Sequence, residues 1–477
     1  MLPFRIRTRR LGLLAVLLVA LPGCSTQPVD GSVPPPPGPQ PPPSPLPPPP
    51  PPEQVTATVA LNAAVTFQTM RGWEATSQAG QANPAFASWR SSLMQLAVND
   101  LGVNRIRLEV RSGSEHPVDN YAAFRAGTIS ENEWRSLRYA PVNDNASPTA
   151  INPAGFHWSE LDASVEAIIL PMRDLVAANG EHLYVSLNYV SFGTASRAHE
   201  DPAEYAEFIL AVFQHLQSRY ALVPDAVEVI LEPDNNTIWR GPSIGQAIVA
   251  TGARLAAAGF QPAFVAPSTM SMANAPTWFD QIIAVPGALG YVRELSYHRY
   301  AGVSDANLAA IRARGVQHGV ATGMLEHIGS DADDLYKDLT IANAASWQQF
   351  TLGFPASSDN GGAYYWIRNN QPLLASRSVG LRQYFRYVRM GARRVSALSD
   401  VARVRPVGFV NTNGGAVVVI HLDRSEVLAV TGLPPGRYGI SSTTSNAVEL
   451  GEVPVGGDGV LRYAAGGAGI FTVYAKP

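Results

Sequence analysis

The stretch VEVILEPDNN, residues 227–236, guides the interpretation of the whole chain. Its first residues are mostly apolar, which is typical of a buried strand. The strand must end before Pro233, because proline has no N–H to donate to a neighbouring strand. Glu232 therefore stands at the carboxyl tip of that strand, and a glutamate is almost never fully buried without a partner. Such a residue either caps a loop or places a reactive group.

Around this stretch, short apolar runs alternate with longer segments of helical periodicity. The predicted strands are 70–75, 104–110, 183–189, 226–232, 264–268, 294–300, 319–326 and 363–367. The predicted helices include 84–100, 160–178, 201–220, 244–258 and 331–349. Eight such units favour a (β/α)₈ barrel with a parallel sheet covered by helices. The alternative, a doubly wound open sheet, usually has a glycine-rich phosphate turn after its first strand, which MRGWE at 70–74 is not.

The flanking regions complete the predicted domain organisation. Residues 395–477 contain short alternating strands and glycine-rich turns, which predict a small antiparallel β-sandwich after a barrel at 68–394. The strand-like residues 54–67 are expected to add to this sandwich. The connection 111–158 is long and rich in Asn, Pro and Ser, and we expect it on the carboxyl face of the barrel.

The N-terminus predicts a lipoprotein signal. Residues 1–23 combine a basic head with an apolar run at 11–21, which is shorter than the roughly 20 residues of a membrane span. The sequence LPGC resembles a bacterial lipobox, in which Cys24 becomes the lipidated first residue. An ordinary signal peptide with an incidental cysteine is the alternative. We expect the protein in the bacterial cell envelope, anchored to the membrane through Cys24.

Residues 24–53 are dominated by proline and predict an extended linker. A ligand for a proline-binding module is the alternative, but a spacer is favoured behind a lipid anchor. Ser25 stands where lipoproteins retained in the inner membrane often have aspartate, so the outer membrane is favoured.

The composition argues against several classes of function. The formal net charge is −3 over 477 residues, which does not suggest nucleic-acid binding. The single cysteine excludes an intrachain disulfide, and the chain has no His-Glu-x-x-His metal motif. Neither a Gly-x-Ser-x-Gly elbow nor a phosphate loop occurs. We expect no metal, no other cofactor and a monomer.

Two glutamates stand at the tips of different predicted strands. Glu232 ends the fourth, and Glu326, in GMLEH at 323–327, ends the seventh. In a barrel both tips face one mouth. Hydrolysis of a glycosidic bond needs such a pair, since one carboxyl protonates the leaving oxygen while the other attacks the sugar carbon or activates water. A lone glutamate at a strand end is more often structural.

On these residues the chain resembles clan A of the glycoside hydrolases, retaining (β/α)₈ enzymes, and within it families 30 and 39. QTMRGW at 68–73 is similar to the Gln-x-(Ile/Met)-x-Gly-(Phe/Trp) start of family 30, and the sandwich is also similar. The resemblance implies a retaining β-glycosidase acting on a carbohydrate, with Glu326 as nucleophile and Glu232 as acid/base. We expect a raised pKa for Glu232, because its neighbour is anionic.

The resemblance also implies supporting roles. Arg107, in GVNRIR, takes the place of an arginine beneath the nucleophile, where its charge keeps that carboxylate ionised. His298 and Tyr300 resemble a His-x-Tyr motif whose tyrosine bonds the nucleophile and whose histidine shapes the sugar subsite. Trp366 resembles an aromatic floor on the eighth strand.

One position departs from the clan A pattern. An asparagine that binds the sugar 2-hydroxyl usually precedes the acid/base, and this chain has Leu231 there. Asn188 and Asn235 are the candidates to replace it. Trp73 and Glu74, on the first strand, are further candidates for a sugar contact, with a surface carboxylate beside a packed indole as the alternative.

Two other functions stay open. A non-catalytic carbohydrate-binding surface lipoprotein would keep the cleft and lose the rate, with Leu231 as the first sign. A transglycosylase would use the same residues on an exopolysaccharide. The presence of both glutamates with Arg107 and Tyr300 favours hydrolysis, because binding alone does not need that set.

Overall fold

The structure is a computed structural model that describes residues 54–192, 197–235, 239–444 and 450–476. The predicted signal peptide, Cys24 and the proline-rich linker lie outside these residues. The described part contains a closed parallel barrel and a second, mostly antiparallel sheet. Every helix within it is too short or too polar to cross a bilayer.

Eight parallel strands form the barrel. After β1 (Ala57–Thr69), which belongs to the second sheet, they are β2 (Gly72–Thr76), β3 (Arg105–Arg111), β4 (Tyr184–Val190), β5 (Ala226–Glu228), β6 (Ala263–Ser271), β7 (Val292–Ala301), β8 (Ala321–Glu326) and β9 (Ala344–Pro355). Each strand pairs with the next, and β9 pairs with both β8 and β2, which closes the barrel. The predicted fold class, a (β/α)₈ barrel with an added antiparallel β domain, is confirmed.

The helices follow the strands in the expected alternation. They are α1 (Arg90–Gln95), α2 (Asn120–Arg125), α3 (Glu131–Leu137), α4 (Ser159–Ser164), α5 (Leu170–Ala178), α6 (Pro202–Tyr220), α7 (Gly241–Ala257), α8 (Ala275–Ile283), α9 (Asp305–His318), α10 (Ala332–Thr340) and α11 (Ser376–Phe385). α6 has clear start signals, because the Asp201 side chain accepts a hydrogen bond from the N–H of Ala203 and Pro202 occupies the first turn. α2 and α3 lie within the long connection after β3.

The end of the barrel differs from the prediction. The sequence predicts one helix over 331–349, but α10 ends at Thr340 and β9 begins at Ala344. Asn343, with a φ of +56°, turns the chain between them. The Ala- and Gln-rich start of β9 favours a helix locally, and pairing with β2 and β8 overrides that preference.

The predicted eighth strand, 363–367, is therefore not a barrel strand. It is β10 (Ala363–Arg368), a further parallel strand paired with β9, and it is followed by the antiparallel β11 (Gln371–Leu374). The barrel closes one strand earlier in the chain than the sequence predicts.

The interior of the barrel is largely ionic. Arg105 donates to both oxygens of Glu294 at 2.9 and 3.0 Å, and its Nε lies 3.1 Å from Glu74. Gly323 leaves room for this group, since a Cβ there would stand 2.5 Å from the Oε1 of Glu294. The apolar core lies instead between the strands and the surrounding helices.

The second sheet contains nine strands. After β1 they are β12 (Arg393–Ser399), β13 (Val404–Val410), β14 (Ala416–Leu422), β15 (Glu426–Thr431), β16 (Gly436–Ser442), β17 (Gly451–Val455), β18 (Leu461–Ala465) and β19 (Gly469–Ala475). β1 pairs antiparallel with β12 and parallel with β15, so the segment before the barrel is part of this sheet. Its own apolar core includes Val59, Val418 and Ile420.

Candidate active site

The two glutamates predicted from the sequence meet at the carboxyl end of the barrel. Glu326 is the last residue of β8, whereas β5 ends at Glu228 and Glu232 follows it outside the ladder. Glu232 has a φ of +48°, a left-handed conformation that costs a non-glycine residue about 1 kcal/mol or more. Its N–H donates to the carbonyl of Ser268 at 3.1 Å, which helps to hold the turned backbone.

The side chains of Glu232, His298 and Glu326 lie close together. One carboxylate oxygen of Glu232, one ring nitrogen of His298 and one carboxylate oxygen of Glu326 lie within 4.8 Å of one another. Glu232 is 8% exposed and Glu326 is 7% exposed, so both are buried yet open at the mouth. An upper bound of 4.8 Å on the nearest atoms is compatible with the roughly 5–5.5 Å between the carboxyl groups of retaining glycosidases.

The carboxylate of Glu326 has permanent hydrogen-bond donors. Arg107 donates to its Oε2, and the hydroxyl of Tyr300 donates to its Oε1 at 3.0 Å. Burial alone would lower the pKa of Arg107, but Glu326, Glu228 and Glu109 outweigh it and raise that pKa. Burial, together with the charge of Glu326, raises the pKa of Tyr300. Both donors therefore keep their protons and remain available to the carboxylate oxygens of Glu326.

Glu232 has a different environment. The Nδ1 of His298 lies 3.0 Å from its Oε1, and the amide of Asn235 lies 3.5 Å from its Oε2. Burial alone would raise the pKa of Glu232, but the hydrogen bond and charge of His298 outweigh it and lower that pKa. The predicted raised pKa of Glu232 is therefore wrong, because the nearest charge is the imidazolium of His298.

The pKa of His298 shifts in the opposite direction to that of Glu232. Burial alone would lower the pKa of His298, but its hydrogen bond to Glu232 and the charge of Glu326 outweigh it and raise that pKa. One proton is therefore shared by the His298–Glu232 pair, with the imidazole as its main holder in the free protein. The arrangement differs from that of an isolated protonated glutamate.

Sequence reasoning missed Glu228. This residue on β5 is completely buried, and its Oε1 lies 3.9 Å from the Nη1 of Arg107. Burial raises its pKa, against the charges of Arg107 and His298. The signal was present in the opening stretch, since Glu228 precedes Glu232 by an even number of positions and side chains alternate along a strand.

Asn188 and Asn235 differ in their surroundings. Asn188 on β4 is completely buried, and neither polar atom of its side chain has a hydrogen-bond partner among the described residues. It lies in register with Glu109 and Glu228 on the neighbouring strands. A buried amide without partners is costly, which points to an unfilled contact. Asn235 is exposed, and Leu231 is buried.

Three predicted sugar contacts do not lie where the sequence suggests. Trp73 is completely buried and stacks on Phe385, with ring centroids 4.5 Å apart. Glu74 faces the barrel interior beside Arg105, where burial raises its pKa to about 7. Both faces of a barrel strand are covered, so neither neighbour reaches the surface. Trp366 is half-buried on β10, outside the eight barrel strands.

A cavity lies beside the connection after β3, and Arg107 links it to the glutamate pair. Glu109, whose Oε1 lies 3.9 Å from Arg107, lines a cavity of about 220 Å³. Arg111, Trp134 and Phe354 are among the other residues that line it. Arg111 pairs with Glu109, so the wall of the cleft is close to neutral. Asp234 is not a cleft acid, because it accepts hydrogen bonds from the backbone N–H groups of residues 270 and 271.

Within the described part of the chain, Glu232, His298 and Glu326 are also the group whose atoms could ligate a metal ion. The guanidinium of Arg107 already contacts Glu326. An added cation would face that fixed positive charge at short range, which disfavours it. The donor set suits proton transfer and nucleophilic attack better than metal binding.

Comparison with known proteins supports the fold. No protein-family model matches this chain, and no curated protein matches it in sequence. The catalytic domain of GH30 xylanase C from Talaromyces cellulolyticus has a TM-score of 0.66 at 14% identity, covering 88% of this chain and 100% of that one.

A GH30 endoxylanase from Clostridium papyrosolvens C71 has a TM-score of 0.63 at 16% identity, over 88% of this chain and 100% of that one. The GH39 enzyme from Xanthomonas axonopodis pv. citri has a TM-score of 0.53 at 12% identity, covering 88% of this chain and 97% of that one. The predicted resemblance to families 30 and 39 is confirmed at the level of fold. Identities of 12–16% show a shared fold and leave the chemistry of this chain to its own site residues.

Proposed function

We propose that this protein is a retaining β-glycoside hydrolase that cleaves a polysaccharide or oligosaccharide by double displacement. The observation that carries the proposal is the asymmetric pair in one pocket. Glu326 is bound by a permanent cation and a phenol, whereas Glu232 shares a proton with His298. A nucleophile must stay ionised and a general acid must have a proton, so the two environments assign the two roles.

In the first step, a carboxylate oxygen of Glu326 attacks the anomeric carbon as the bond from that carbon to the leaving oxygen breaks. Glu232 gives the leaving oxygen a proton, which His298 supplies through their hydrogen bond. In the second step, Glu232 takes a proton from water, and the water oxygen attacks the same carbon. The bond to Glu326 then breaks, and the proton returns to the Glu232–His298 pair.

Sugar recognition is assigned to groups at the mouth. The unpartnered amide of Asn188 is the best-placed substitute for the asparagine that Leu231 replaces, because it is buried and in register with Glu228. Tyr300 and Phe354 present exposed rings, on which the apolar C–H face of a pyranose can stack. Two of the structural neighbours are named as xylanases, so xylan is the first substrate to test.

The test begins with Glu326→Ala and Glu232→Ala, assayed on an activated aryl xyloside and on xylan. We expect Glu326→Ala to lose activity by roughly 10⁴-fold or more at unchanged thermal stability. Glu232→Ala should regain turnover of the aryl glycoside with added azide, because azide can attack the glycosyl-enzyme without a general base. Glu131→Gln, an exposed site on α3, is the matched control and should keep full activity.

Normal turnover by Glu326→Ala would end the proposal. Should no glycan in a panel of xylans and β-glucans yield new reducing ends, the non-catalytic carbohydrate-binding function suggested by Leu231 replaces it. Lengthened chains among the products would instead identify a transglycosylase. Anchoring through Cys24 in the outer membrane stays a separate proposal, tested by labelling with a radioactive fatty acid in wild type and Cys24→Ser.

A further inference from the structure

The barrel end opposite the glutamate pair has a group of arginines that the proposed mechanism does not use. Arg71 precedes β2, Arg293 is the second residue of β7, Arg312 lies on α9, and Arg393 and Arg394 begin β12. We call these five residues the basic face.

The basic face is continuous. The Nη1 of Arg71 donates to the carbonyl of Arg293 at 2.9 Å, and both residues line a cavity of about 760 Å³. Arg71 and Arg312 line a second cavity of about 490 Å³. Arg393 is in register with Thr69, which also lines this second cavity.

Arg394 lies in the same region but is buried beneath the surface. Its guanidinium stands 3.8 Å from the ring centre of Phe67, another lining residue of the second cavity. Burial, with a further contribution from the charge of Arg312, lowers the pKa of Arg394 to about 10, so it remains charged at neutral pH.

No carboxylate of the described residues forms an ion pair with any member of the basic face. Arg394 bonds the amide oxygens of Gln68 and Asn343 instead. Asp225 also lines the first cavity, but its carboxylate oxygens already have other partners. The Nε2 of His182 lies 2.8 Å from one oxygen, and the N–H of Val185 donates to the other at 2.8 Å. The face is therefore a net positive surface on a chain whose total charge is −3.

Exposed apolar side chains accompany these charges. Phe67 is 42% exposed and Val316 is 72% exposed, and both line the same cavity as Arg71 and Arg312. Cations beside exposed apolar groups are typical of surfaces that lie on a membrane, since the charges meet anionic headgroups while the apolar groups enter the interface.

We propose that the basic face binds the anionic surface of a phospholipid membrane. Arg293 and Tyr300 lie on the same strand, seven positions apart, so roughly 23 Å separates the basic face from the catalytic mouth at about 3.3 Å per residue. Binding by this face directs the cleft away from the membrane. An acidic polysaccharide fits less well, because a substrate surface should be continuous with the cleft. The proposal does not depend on the proposed activity.

The test uses the mature chain, which begins at residue 24, with Cys24→Ser, so that neither the predicted signal peptide nor a lipid anchor contributes. We expect it to sediment with vesicles of phosphatidylcholine and phosphatidylglycerol, not with phosphatidylcholine alone, and to be released by high salt. Combining Arg293→Glu, Arg312→Glu and Arg393→Glu should lower the partition coefficient by roughly 100-fold or more. The same three positions changed to lysine should retain binding.

The matched control reverses the charge of three exposed arginines outside the basic face and should retain binding to the mixed vesicles. Its substitutions are Arg125→Glu, Arg368→Glu and Arg462→Glu. Equal loss in this control, or undiminished binding by the first triple variant, would overturn the proposal. Binding of polygalacturonate without binding of vesicles would also overturn it. Independently of any variant, mixed vesicles should slow amide exchange at 312–320, not at 326–330, and the reverse pattern would contradict the inference.

Discussion

At the scale of single residues, the proposed mechanism gives two chemically identical side chains different roles because their hydrogen-bond partners differ. Glu326 is bound by Arg107 and Tyr300, which keep their protons across the physiological range. Glu232 is bound by His298, a group that can carry a proton or release it. The protonation behaviour of these partners, more than the difference in exposure, distinguishes the proposed nucleophile from the proposed acid/base.

A pH prediction follows from the His298–Glu232 pair. The pKa of His298 is raised above its ordinary 6.5, so the imidazolium persists to a higher pH than a free histidine. Its proton, and the stabilisation that it gives, are fully present below pH 6.5 and are lost as the pH rises through the raised pKa. We expect the alkaline limb of kcat/KM to lie above pH 6.5.

His298→Asn keeps a donor for Glu232 but cannot hold the proton. In this variant, the alkaline limb of the kcat/KM profile should move to lower pH, towards the ordinary pKa of a glutamate. His318→Asn, on α9 far from the pocket, should leave the limb in place. The measurement is kcat/KM on an aryl glycoside from pH 4 to 9. An unchanged pH profile in His298→Asn would show that His298 does not supply the proton in the acid step.

At the scale of elements, the long connection after β3 is fastened to the barrel by a buried chain of hydrogen bonds. The Nε2 of His199 lies 2.6 Å from Glu115 on the connection, and its Nδ1 lies 2.8 Å from the hydroxyl of Tyr189 on β4. The second oxygen of Glu115 accepts from the N–H of Asp144 at 2.8 Å. This connection lines the cavity of about 220 Å³, so its position bears on which molecules that cavity admits.

Glu115→Gln should therefore loosen the connection. The change removes the charge that His199 meets and leaves a buried donor poorly satisfied, at a cost of about 1–3 kcal/mol. We expect faster limited proteolysis within 116–155 and little change elsewhere. Glu131→Gln, which removes an exposed ion pair with Arg135, is the control in the same segment. Equal rates of proteolysis in Glu115→Gln and Glu131→Gln would show that the chain of hydrogen bonds does not hold the connection in place.

At the scale of the whole molecule, a buried histidine joins the barrel to the second sheet. His421 on β14 lies 2.7 Å from the hydroxyl of Tyr384 on α11 and 3.0 Å from the carboxylate of Asp333 on α10. Thr472 on β19 adds a hydrogen bond to the carbonyl of Gln383 at 2.9 Å. These polar contacts accompany an apolar junction, in which Phe409 and Val419 of the second sheet pack in the core of the barrel.

His421→Ala should destabilise the whole molecule. It removes two hydrogen bonds and leaves the Tyr384 hydroxyl buried without that partner, which costs about 1–3 kcal/mol of unfolding free energy. His182→Ala removes an exposed pair with Asp225 and should cost less than about 1 kcal/mol. Urea denaturation measures both, and equal effects would contradict a special role for the junction.

Local patterns in the sequence predicted the barrel and placed Glu232 and Glu326 at the tips of two strands, and the resemblance to clan A added Arg107, His298 and Tyr300. Such patterns identify strands and their tips, and the topology of a parallel barrel brings those tips together. They were not enough for the closing strand, because the Ala- and Gln-rich start of β9 carries no local strand preference.

Burial and charge were decided by the tertiary structure alone. The placement of Trp73 and Glu74 within the fold, the approach of Glu228 to Arg107, and the proton shared by His298 and Glu232 all depend on residues far apart in the chain. A pKa responds to the solvent and charges around a group, and these exist only once distant strands have closed into one barrel. The sequence by itself thus determined which acids reach the mouth, and the closed fold decided what each acid can do there.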